Sequence, residues 1–359
     1  MQDYIQLYSL VALYDETCDL TTIAGQFHTD IKILKVTSSP QCTLQRCNQR
    51  PDFFLHFKGK LTEVSEITFN VEFNDKHTEI RFYTVELVFP FEEMALQLDF
   101  GTSAVISTMC KDYSFRLDEW LQFNLQLGFS GIVVFDNDAN VQNVIHEKYR
   151  NENTSYHPPL LSTKQICEKY KERVHVINFP YSPFKSKEPP GLNWRNIGHW
   201  TVLQRITLTL GANGLRKKCK HIAFIDPDEF LYMSNDPFQS IEDFLQKYNS
   251  VRVQFCYVTN KGDADFIDNN IVSLCKHGYI PTNEVDAHHM DGGKLLLSTD
   301  QITPYEFIVT PHKHSSAIFP IDVRELICYH CWVNKRLWCR GDMEEFNGLQ
   351  EWFCKTKKS

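Results

Sequence analysis

Three carboxylates follow one apolar stretch near the middle of the chain. In the segment KHIAFIDPDEFLYM, residues 220–233, four apolar residues are followed by Asp226, Asp228 and Glu229. A carboxylate at the end of a buried strand loses hydration, so it needs a cation, hydrogen-bond donors or access to solvent. Closely spaced carboxylate oxygens are ligands that Mg²⁺ and Mn²⁺ prefer, and these ions keep positions open for phosphate oxygens. The segment predicts a divalent metal site, with a capped turn of solvated carboxylates as the alternative.

A second acidic pair follows another apolar strand, because GIVVFDND, residues 131–138, ends in Asp136 and Asp138. The region around both pairs alternates short apolar strands with helical patterns. Strands are predicted at 104–109, 131–138, 174–179 and 221–226, and helices within 114–129 and near 163–171 and 196–210. This alternation predicts right-handed crossovers and a mostly parallel sheet. Ligands bind beyond the carboxyl ends of such strands, and both acidic pairs fall there.

The first hundred residues have a different pattern, which is typical of antiparallel strands. Residues 67–73, ITFNVEF, and 96–100, LQLDF, alternate apolar and polar side chains, and residues 82–89 are rich in β-branched and aromatic types. This region contains no cluster of catalytic residue types. We therefore predict a β-rich accessory domain over 1–102 and an α/β domain over 103–359.

Composition excludes some classes of function. The net charge is −8, which argues against a general nucleic-acid binder. The sequence has no apolar run long enough to span a bilayer and no basic segment before its first apolar run. These observations predict a cytosolic protein, or one from which a targeting segment was left out. The twelve cysteines are scattered, and the CxxC spacing of CYHC, 328–331, is not repeated.

Three segments together resemble glycosyltransferases of the GT-A fold, most closely glycosyltransferase family 92 and its relatives. HIAFIDPDEFL is similar to their Asp-x-Asp-Glu-Phe segment, residues 111–140 are similar to an earlier block, and ICYHCWVNKR, 327–336, is similar to a closing His-aromatic segment. Pro227 and Cys331 depart from the residues often found there. The resemblance implies a Rossmann-like, mostly parallel sheet in the transferase domain, preceded by the β-rich domain.

The resemblance also implies an activity. Such an enzyme is a hexosyl- or pentosyltransferase that moves a sugar, galactose as the first expectation, from a UDP-sugar to a hydroxyl of an acceptor glycan with inversion. It uses Mn²⁺ or Mg²⁺. Such enzymes commonly work in the Golgi lumen behind an N-terminal anchor, so we expect either a soluble cytoplasmic enzyme, as in some viruses or microbes, or a Golgi lumen enzyme whose anchor was removed. In this sequence Asp228 matches the direct metal ligand, Asp226 the carboxylate near ribose and metal, His330 a late histidine ligand, and Asp136 an acid that contacts the nucleoside.

Other residues have weaker sequence signals. The basic residues that could approach the nucleotide or its diphosphate are Lys111, Arg116 and Lys335, although Arg116 could instead pair with Asp118 or Glu119, and Lys335 could be solvated together with Arg336. His312 and His314 could contact phosphate or acceptor, or lie in a surface loop. We expect Glu229 to accept structural hydrogen bonds rather than bind metal, because neighbouring strand residues point to opposite faces.

An inverting transfer needs a general base near the sugar. The stretch NEVDAHHMDGGKLLL, residues 283–297, offers Asp291 as the first choice and Asp286 as the second, with a solvated acidic loop as the alternative. Two other classes of function stay open from the residues alone. One is a protein that binds carbohydrate or a nucleotide sugar without turnover. The other is a metal-dependent phosphohydrolase, which usually needs more metal ligands than the sequence offers.

Overall fold

The computed structural model of the chain describes residues 7–15, 19–27, 32–46, 52–59, 66–73, 75–83, 103–110, 114–137, 161–179, 199–233, 235–236, 239–260, 278–281, 293–304, 306, 308, 310–312, 314, 321–331, 343–346, 349 and 352. The chain forms two compact units. One combines Met1–Leu98, Pro180–Gly214 and Thr303–Phe307, and the other combines Asp99–Phe179, Leu215–Ile302 and Ile308–Ser359. The predicted domain division at residue 102 stays a prediction.

Four α-helices lie among the described residues. They are α1 (Ser114–Gln126), α2 (Thr163–Cys167), α3 (His199–Leu215) and α4 (Ile241–Leu245). A short 3-10 helix, Glu168–Tyr170, follows α2 directly. The predicted helix near 196–210 is thus α3, which extends further toward the carboxyl end than its apolar pattern indicates. No helix in the described part of the chain is long and apolar enough to cross a membrane.

The first unit contains seven strands in two antiparallel sheets. They are β1 (Leu7–Asp15), β2 (Leu20–Phe27), β3 (Lys32–Ser38), β4 (Cys42–Arg46), β5 (Asp52–Lys58), β6 (Glu66–Phe73) and β7 (Lys76–Tyr83). One sheet has the order β1-β2-β5-β4 and the other the order β3-β6-β7. Of the predicted strand 82–89, only residues 82 and 83 are described, in β7, and 96–100 lie outside the described residues.

Both sheets of the first unit contribute to one hydrophobic core. The alternation predicted for ITFNVEF is confirmed, because Ile67, Phe69 and Val71 on β6 are fully buried. Phe53 on β5 faces Phe69 with 4.8 Å between ring centroids. Burial of an aromatic side chain contributes on the order of 2 kcal/mol, so this shared core explains why the alternating strands associate.

The second unit is a mixed α/β structure, as expected. Its strands are β8 (Ala104–Cys110), β9 (Gly131–Asp136), β10 (Val174–Asn178), β11 (His221–Phe224), β12 (Glu229–Tyr232), β13 (Val251–Asn260), β14 (Gly278–Pro281), β15 (Gly293–Ser298), β16 (Ile327–Cys331) and β17 (Met343–Phe346). Six of them form a mostly parallel sheet of order β10-β9-β8-β11-β15-β13, in which β15 is antiparallel to both neighbours.

The remaining strands extend this sheet. Strand β16 pairs antiparallel with β12 and parallel with β13, while β14 lies between β13 and β17. Cys328 and Cys331, at positions two and five of β16, are buried thiols. Residues three apart in a strand point to opposite faces. The CxxC spacing therefore does not bring these two sulfurs to one metal ion.

Helix α1 connects β8 to β9 and has the predicted apolar face. Leu117, Trp120 and Leu121 are fully buried, and Leu125 packs partly buried against the same core. The helix ends at Gln126, and Gly128 beyond it has a φ of 104°, a conformation that side chains with a Cβ rarely adopt. The local signals of helix face and glycine stop thus agree with the structure.

The strand order creates a switch point between β8 and β11. From β8 the chain proceeds outward through β9 to β10, then returns to the other side of β8 to form β11, and all four strands are parallel. In open α/β sheets ligands bind at the carboxyl ends of the strands on either side of such a reversal. Asp136 ends β9, and Asp226 follows β11 by two residues. The fold therefore brings both predicted acidic segments to one edge of the sheet.

Gly293 opens β15 where the backbones of β13 and β15 approach closely. A Cβ at this position would lie 2.8 Å from the backbone oxygen of Val253 and 3.0 Å from Cγ of Arg252. We expect Gly293→Ala to lower the free energy of unfolding by about 1–3 kcal/mol, the usual cost of forcing a methyl group into packed structure. Urea denaturation measures it, with the exposed-site variant Lys247→Ala as the control. An unchanged urea midpoint for Gly293→Ala would contradict the close approach.

Candidate functional site

The turn between β11 and β12 carries the acidic motif and is closed by its own hydrogen bonds. The Glu229 backbone N–H donates to the Asp226 carbonyl at 3.0 Å, and the Asp226 backbone N–H donates to Oε2 of Glu229 at 2.9 Å. Pro227 restricts the backbone between the two aspartates through its fixed φ. The motif is therefore a turn capped by the side chain of Glu229, which is largely shielded from solvent.

Neighbouring elements anchor this turn from two sides. The indole N–H of Trp120 on α1 donates to the Glu229 carbonyl at 2.8 Å, and the Cys331 backbone N–H donates to the Asp228 carbonyl at 2.8 Å. The β12–β16 register places His330 directly opposite Glu229. Because buried backbone groups need partners, these bonds fix the backbone from which the acidic side chains extend.

A buried lysine connects two of the three carboxylates. Nζ of Lys294, on β15, lies 2.6 Å from Oδ2 of Asp226 and 2.9 Å from Oε2 of Glu229. Only 3% of the Lys294 side chain is exposed. A buried ammonium group is tolerated only when anionic partners compensate for the lost hydration, and the two carboxylates provide this compensation.

His330 connects Glu229 to the third carboxylate, that of Asp228. Its Nε2 lies 3.1 Å from Oδ2 of Asp228, and its Nδ1 lies 3.6 Å from Oε1 of Glu229. The second distance is an ion-pair distance, longer than a hydrogen bond. We use the name charge ladder for the five residues that alternate in sign along these contacts, in the order Asp226, Lys294, Glu229, His330 and Asp228.

The pKa values in the charge ladder follow from burial and from the neighbouring charges. Burial alone would lower the pKa of His330, but the Asp228 carboxylate outweighs it and raises that pKa to about 9. Burial would raise the pKa of Asp228, yet His330 holds it below its usual value. Burial raises the pKa of Glu229 to about 7, with Lys294 opposing and Asp226 adding to the rise. Burial would lower the pKa of Lys294, but Asp226 and Glu229 raise it. Both cations therefore stay protonated at neutral pH.

Part of the charge ladder has the chemistry of a divalent metal site. One oxygen each from Asp228 and Glu229 and one ring nitrogen of His330 lie within 4.8 Å of one another. Three carboxylates lie along the ladder, with Lys294 between Asp226 and Glu229, so the ladder is rich in the oxygen donors that a divalent ion binds. Carboxylate oxygens and imidazole nitrogens are both ligands of divalent metal ions in proteins. The residues present thus fit such an ion.

The structure brings some of the predicted site residues together. Asp228 and His330, both predicted as metal ligands, are in contact, whereas Asp226, predicted beside them, faces Lys294. Glu229 accepts the structural hydrogen bond expected of it and also lies near His330. Asp136 is half-buried at the end of β9.

The described residues locate some further predicted residues. Arg116 is buried in the first turn of α1, and Asp118, its predicted alternative partner, contacts Lys169 and Tyr170. The remaining predicted site residues lie outside the described residues, and they are Lys111, Asp138, Asp286, Asp291, Lys335 and Arg336.

His312 has a structural contact next to the charge ladder. Its Nδ1 donates to the carbonyl of Gly293, the residue before Lys294. Burial lowers the pKa of His312. A neutral imidazole bonded to this carbonyl supports the strand that carries Lys294, whereas the sequence left phosphate or acceptor contact and a surface loop as equal alternatives for this residue. His314 is half-buried.

Lys294 is the site residue that the sequence reasoning missed. Its signal was present, because one lysine stands within the otherwise apolar strand GKLLLS, all of which is buried. A lysine in a fully buried strand requires an acidic partner. The acidic segment at 226–229 was the available candidate.

The sequence matches no protein-family model and no curated protein at a significant level.

The charge ladder makes stability depend on pH when no metal ion is present. The pKa of His330 rises from its usual 6.5 to about 9 in the folded chain. Its contribution to stability is therefore fully present below about pH 6.5 and is lost as the pH rises through about 9, with a size on the order of 3 kcal/mol.

Urea denaturation in the presence of EDTA tests this dependence. We expect the free energy of unfolding of the wild-type chain to fall toward that of His330→Gln as the pH is raised from about 6 to about 10. A difference between the two proteins that stays constant over this range would contradict the ion pair of His330 with Asp228.

Proposed function

We propose that this protein is a metal-dependent glycosyltransferase that moves a sugar from a UDP-sugar to a hydroxyl group of an acceptor glycan. In this proposal residues 103–359 form a transferase domain of the GT-A fold, and the β-rich residues 1–102 form an accessory domain. The observation that carries the proposal is the contact of Asp228 with His330, 3.1 Å apart, in a turn that follows a parallel strand at the switch point of the sheet.

The fold supports a nucleotide at this position. Strands β10, β9, β8 and β11 have the order of one half of a doubly wound sheet, in which nucleotides bind at the reversal of strand order. Asp226 follows β11 at this edge, and the β12–β16 pair places Asp228 and His330 next to it. The acidic turn and the expected nucleotide pocket are therefore adjacent in the topology.

In the proposed site, Asp228 and His330 hold Mn²⁺, or Mg²⁺, with Asp226 beside them. A bound divalent ion supplies positive charge for the diphosphate of the departing UDP. Lys294 fixes the Asp226 carboxylate through their 2.6 Å contact, so this group has a defined position beside the ribose and diphosphate. The charge ladder holds these groups in place before substrate arrives, and preorganisation of this kind lowers the barrier of charge-separating reactions.

Residues outside the charge ladder have the following proposed roles. Asp136 contacts the nucleoside, while Lys111, Arg116 and Lys335 approach the nucleotide or its diphosphate. Asp291, or Asp286 as the second choice, takes the proton of the acceptor hydroxyl. The acceptor oxygen then attacks the anomeric carbon, the bond to the diphosphate oxygen breaks, and UDP leaves, so the anomeric centre is inverted. Galactose is the first donor sugar to test.

Release of UDP from UDP-galactose tests the proposed function. The chain is incubated with a panel of UDP- and GDP-sugars, with Mn²⁺ or EDTA, and with and without acceptor glycans. We expect UDP release that requires Mn²⁺ and increases with acceptor. Asp228→Asn should lower kcat about 100- to 1,000-fold, the range found when a group that stabilises transition-state charge is removed. The exposed Asp322, in the same unit, provides the matched control Asp322→Asn.

Other outcomes select other functions. Binding of a nucleotide sugar without release would indicate a binding protein, and phosphate release from simple esters would indicate a phosphohydrolase. Full transfer by Asp228→Asn would show that the carboxylate of Asp228 is not needed for the reaction.

A further inference from the structure

Two pairs of side chains in the charge ladder differ in solvent exposure. We call Glu229 and Lys294 the inner pair, and Asp228 and His330 the outer pair. The side chains of Glu229 and Lys294 are 2% and 3% exposed, whereas those of Asp228 and His330 are 22% and 15% exposed. An ion that binds a substrate diphosphate must keep coordination positions open to it. The outer pair can meet this requirement, and the inner pair lies too deep to do so. The inner pair therefore needs another explanation.

Glu229 uses its two carboxylate oxygens on opposite sides. Oε2 accepts from the Asp226 backbone N–H at 2.9 Å and lies 2.9 Å from Nζ of Lys294. Oε1 faces Nδ1 of His330 at 3.6 Å. The Glu229 backbone is also fixed, because its carbonyl accepts from the Trp120 indole. Oε2 of this carboxylate is therefore held by two donors, and Oε1 faces the histidine.

His330 has one ring nitrogen toward each carboxylate. Nε2 faces Asp228 at 3.1 Å, and Nδ1 faces Glu229. A histidine that binds a metal through one nitrogen usually directs the N–H of the other toward a carboxylate or carbonyl, which fixes the tautomer and the ring orientation. In this geometry Nε2 is the nitrogen available to an ion beside Asp228, and Glu229 is the carboxylate behind the ring.

Lys294 has a corresponding effect on Glu229. Without this cation, the buried Glu229 and the neighbouring Asp226 would lose the ammonium group that lies between them, a costly change for a buried carboxylate. With Lys294 present, Oε2 of Glu229 is held in an ion pair, so Oε1 stays directed toward His330. The orientation of the His330 ring thus depends on Lys294 through Glu229, which lies between them in the charge ladder.

We propose that Glu229 and Lys294 are positioning residues of the metal centre. Glu229 fixes the His330 ring so that Nε2 faces Asp228, and Lys294 fixes Glu229. The inference rests on the proposed function for the presence of the metal centre. It adds that Glu229, although close to Asp228 and His330, acts through the histidine and is not itself a ligand.

Calorimetric titration of the full chain with Mn²⁺ alone, without any sugar nucleotide, tests this assignment. We expect Glu229→Gln to raise the Kd for Mn²⁺ about 10- to 100-fold, as loss of a carboxylate behind a ligating histidine does. Asp228→Asn, which removes a donor, should raise the Kd further. Glu325→Gln is the matched control, because Glu325 lies outside the charge ladder and bonds to Tyr248, and its Kd should equal that of the wild type.

A double variant tests the role of Lys294. Lys294→Met leaves two carboxylates without their cation and could fail to fold, whereas Glu229→Gln with Lys294→Met removes both buried charges. If Lys294 acts through Glu229, the double variant should have the same Kd as Glu229→Gln within about twofold, because residues that act in one chain are not additive. Circular dichroism and the thermal midpoint in EDTA establish that each variant is folded.

The possible results separate the inference from the proposed function. A wild-type Kd for Glu229→Gln, even with a lower thermal midpoint, would show that Glu229 is only structural and would overturn the inference. A loss equal to that of Asp228→Asn would make Glu229 a ligand and would also overturn it. Absence of Mn²⁺ binding by the wild-type chain would overturn both. The expected Kd values without any sugar transfer would leave the inference standing and refute the proposed function.

Discussion

The buried ammonium group of Lys294 is the constraint on which the site depends. A cation with so little exposure requires carboxylates in fixed positions, and Asp226 and Glu229 occupy them at 2.6 and 2.9 Å. Several features of the fold bring this contact about. Strand β15 enters antiparallel between β11 and β13, and Gly293 allows the close approach of the backbones at its start. The acidic turn begins two residues after β11, which places Asp226 beside Lys294.

Alternation of charge makes the site a unit rather than a set of independent side chains. Glu229 and Lys294 each have an oppositely charged neighbour on both sides, so removal of either group changes the charge balance around two other members of the ladder. The more exposed groups, Asp226, Asp228 and His330, are those with which we propose that metal and nucleotide interact. The buried groups set the positions of the exposed ones, which is the preorganisation that charge-stabilising catalysis requires.

Local patterns predicted the elements better than the site. The predictions of a buried face on α1 and of the apolar strand β11 are confirmed. Helical periodicity and an apolar run are properties of a few neighbouring residues, so the sequence alone reveals them. The placement of Asp228 beside His330 was expected from the resemblance of two segments. Lys294 was missed, because its contact with Asp226 depends on pairing between β11 and β15, far apart in sequence. A strand buried on both faces also shows no alternation from which to assign the direction of a single lysine.

Pulsed electron paramagnetic resonance of Mn²⁺ bound to the chain tests the central claim, that His330 and Asp228 hold the ion while Glu229 and Lys294 hold His330. A ligating imidazole nitrogen transfers electron spin density and produces a nitrogen hyperfine coupling. The account predicts this coupling in the wild-type protein and its loss in His330→Gln. A spectrum of the wild-type protein that shows only oxygen ligands would contradict the account, since the charge ladder would then orient a histidine that does not bind the metal.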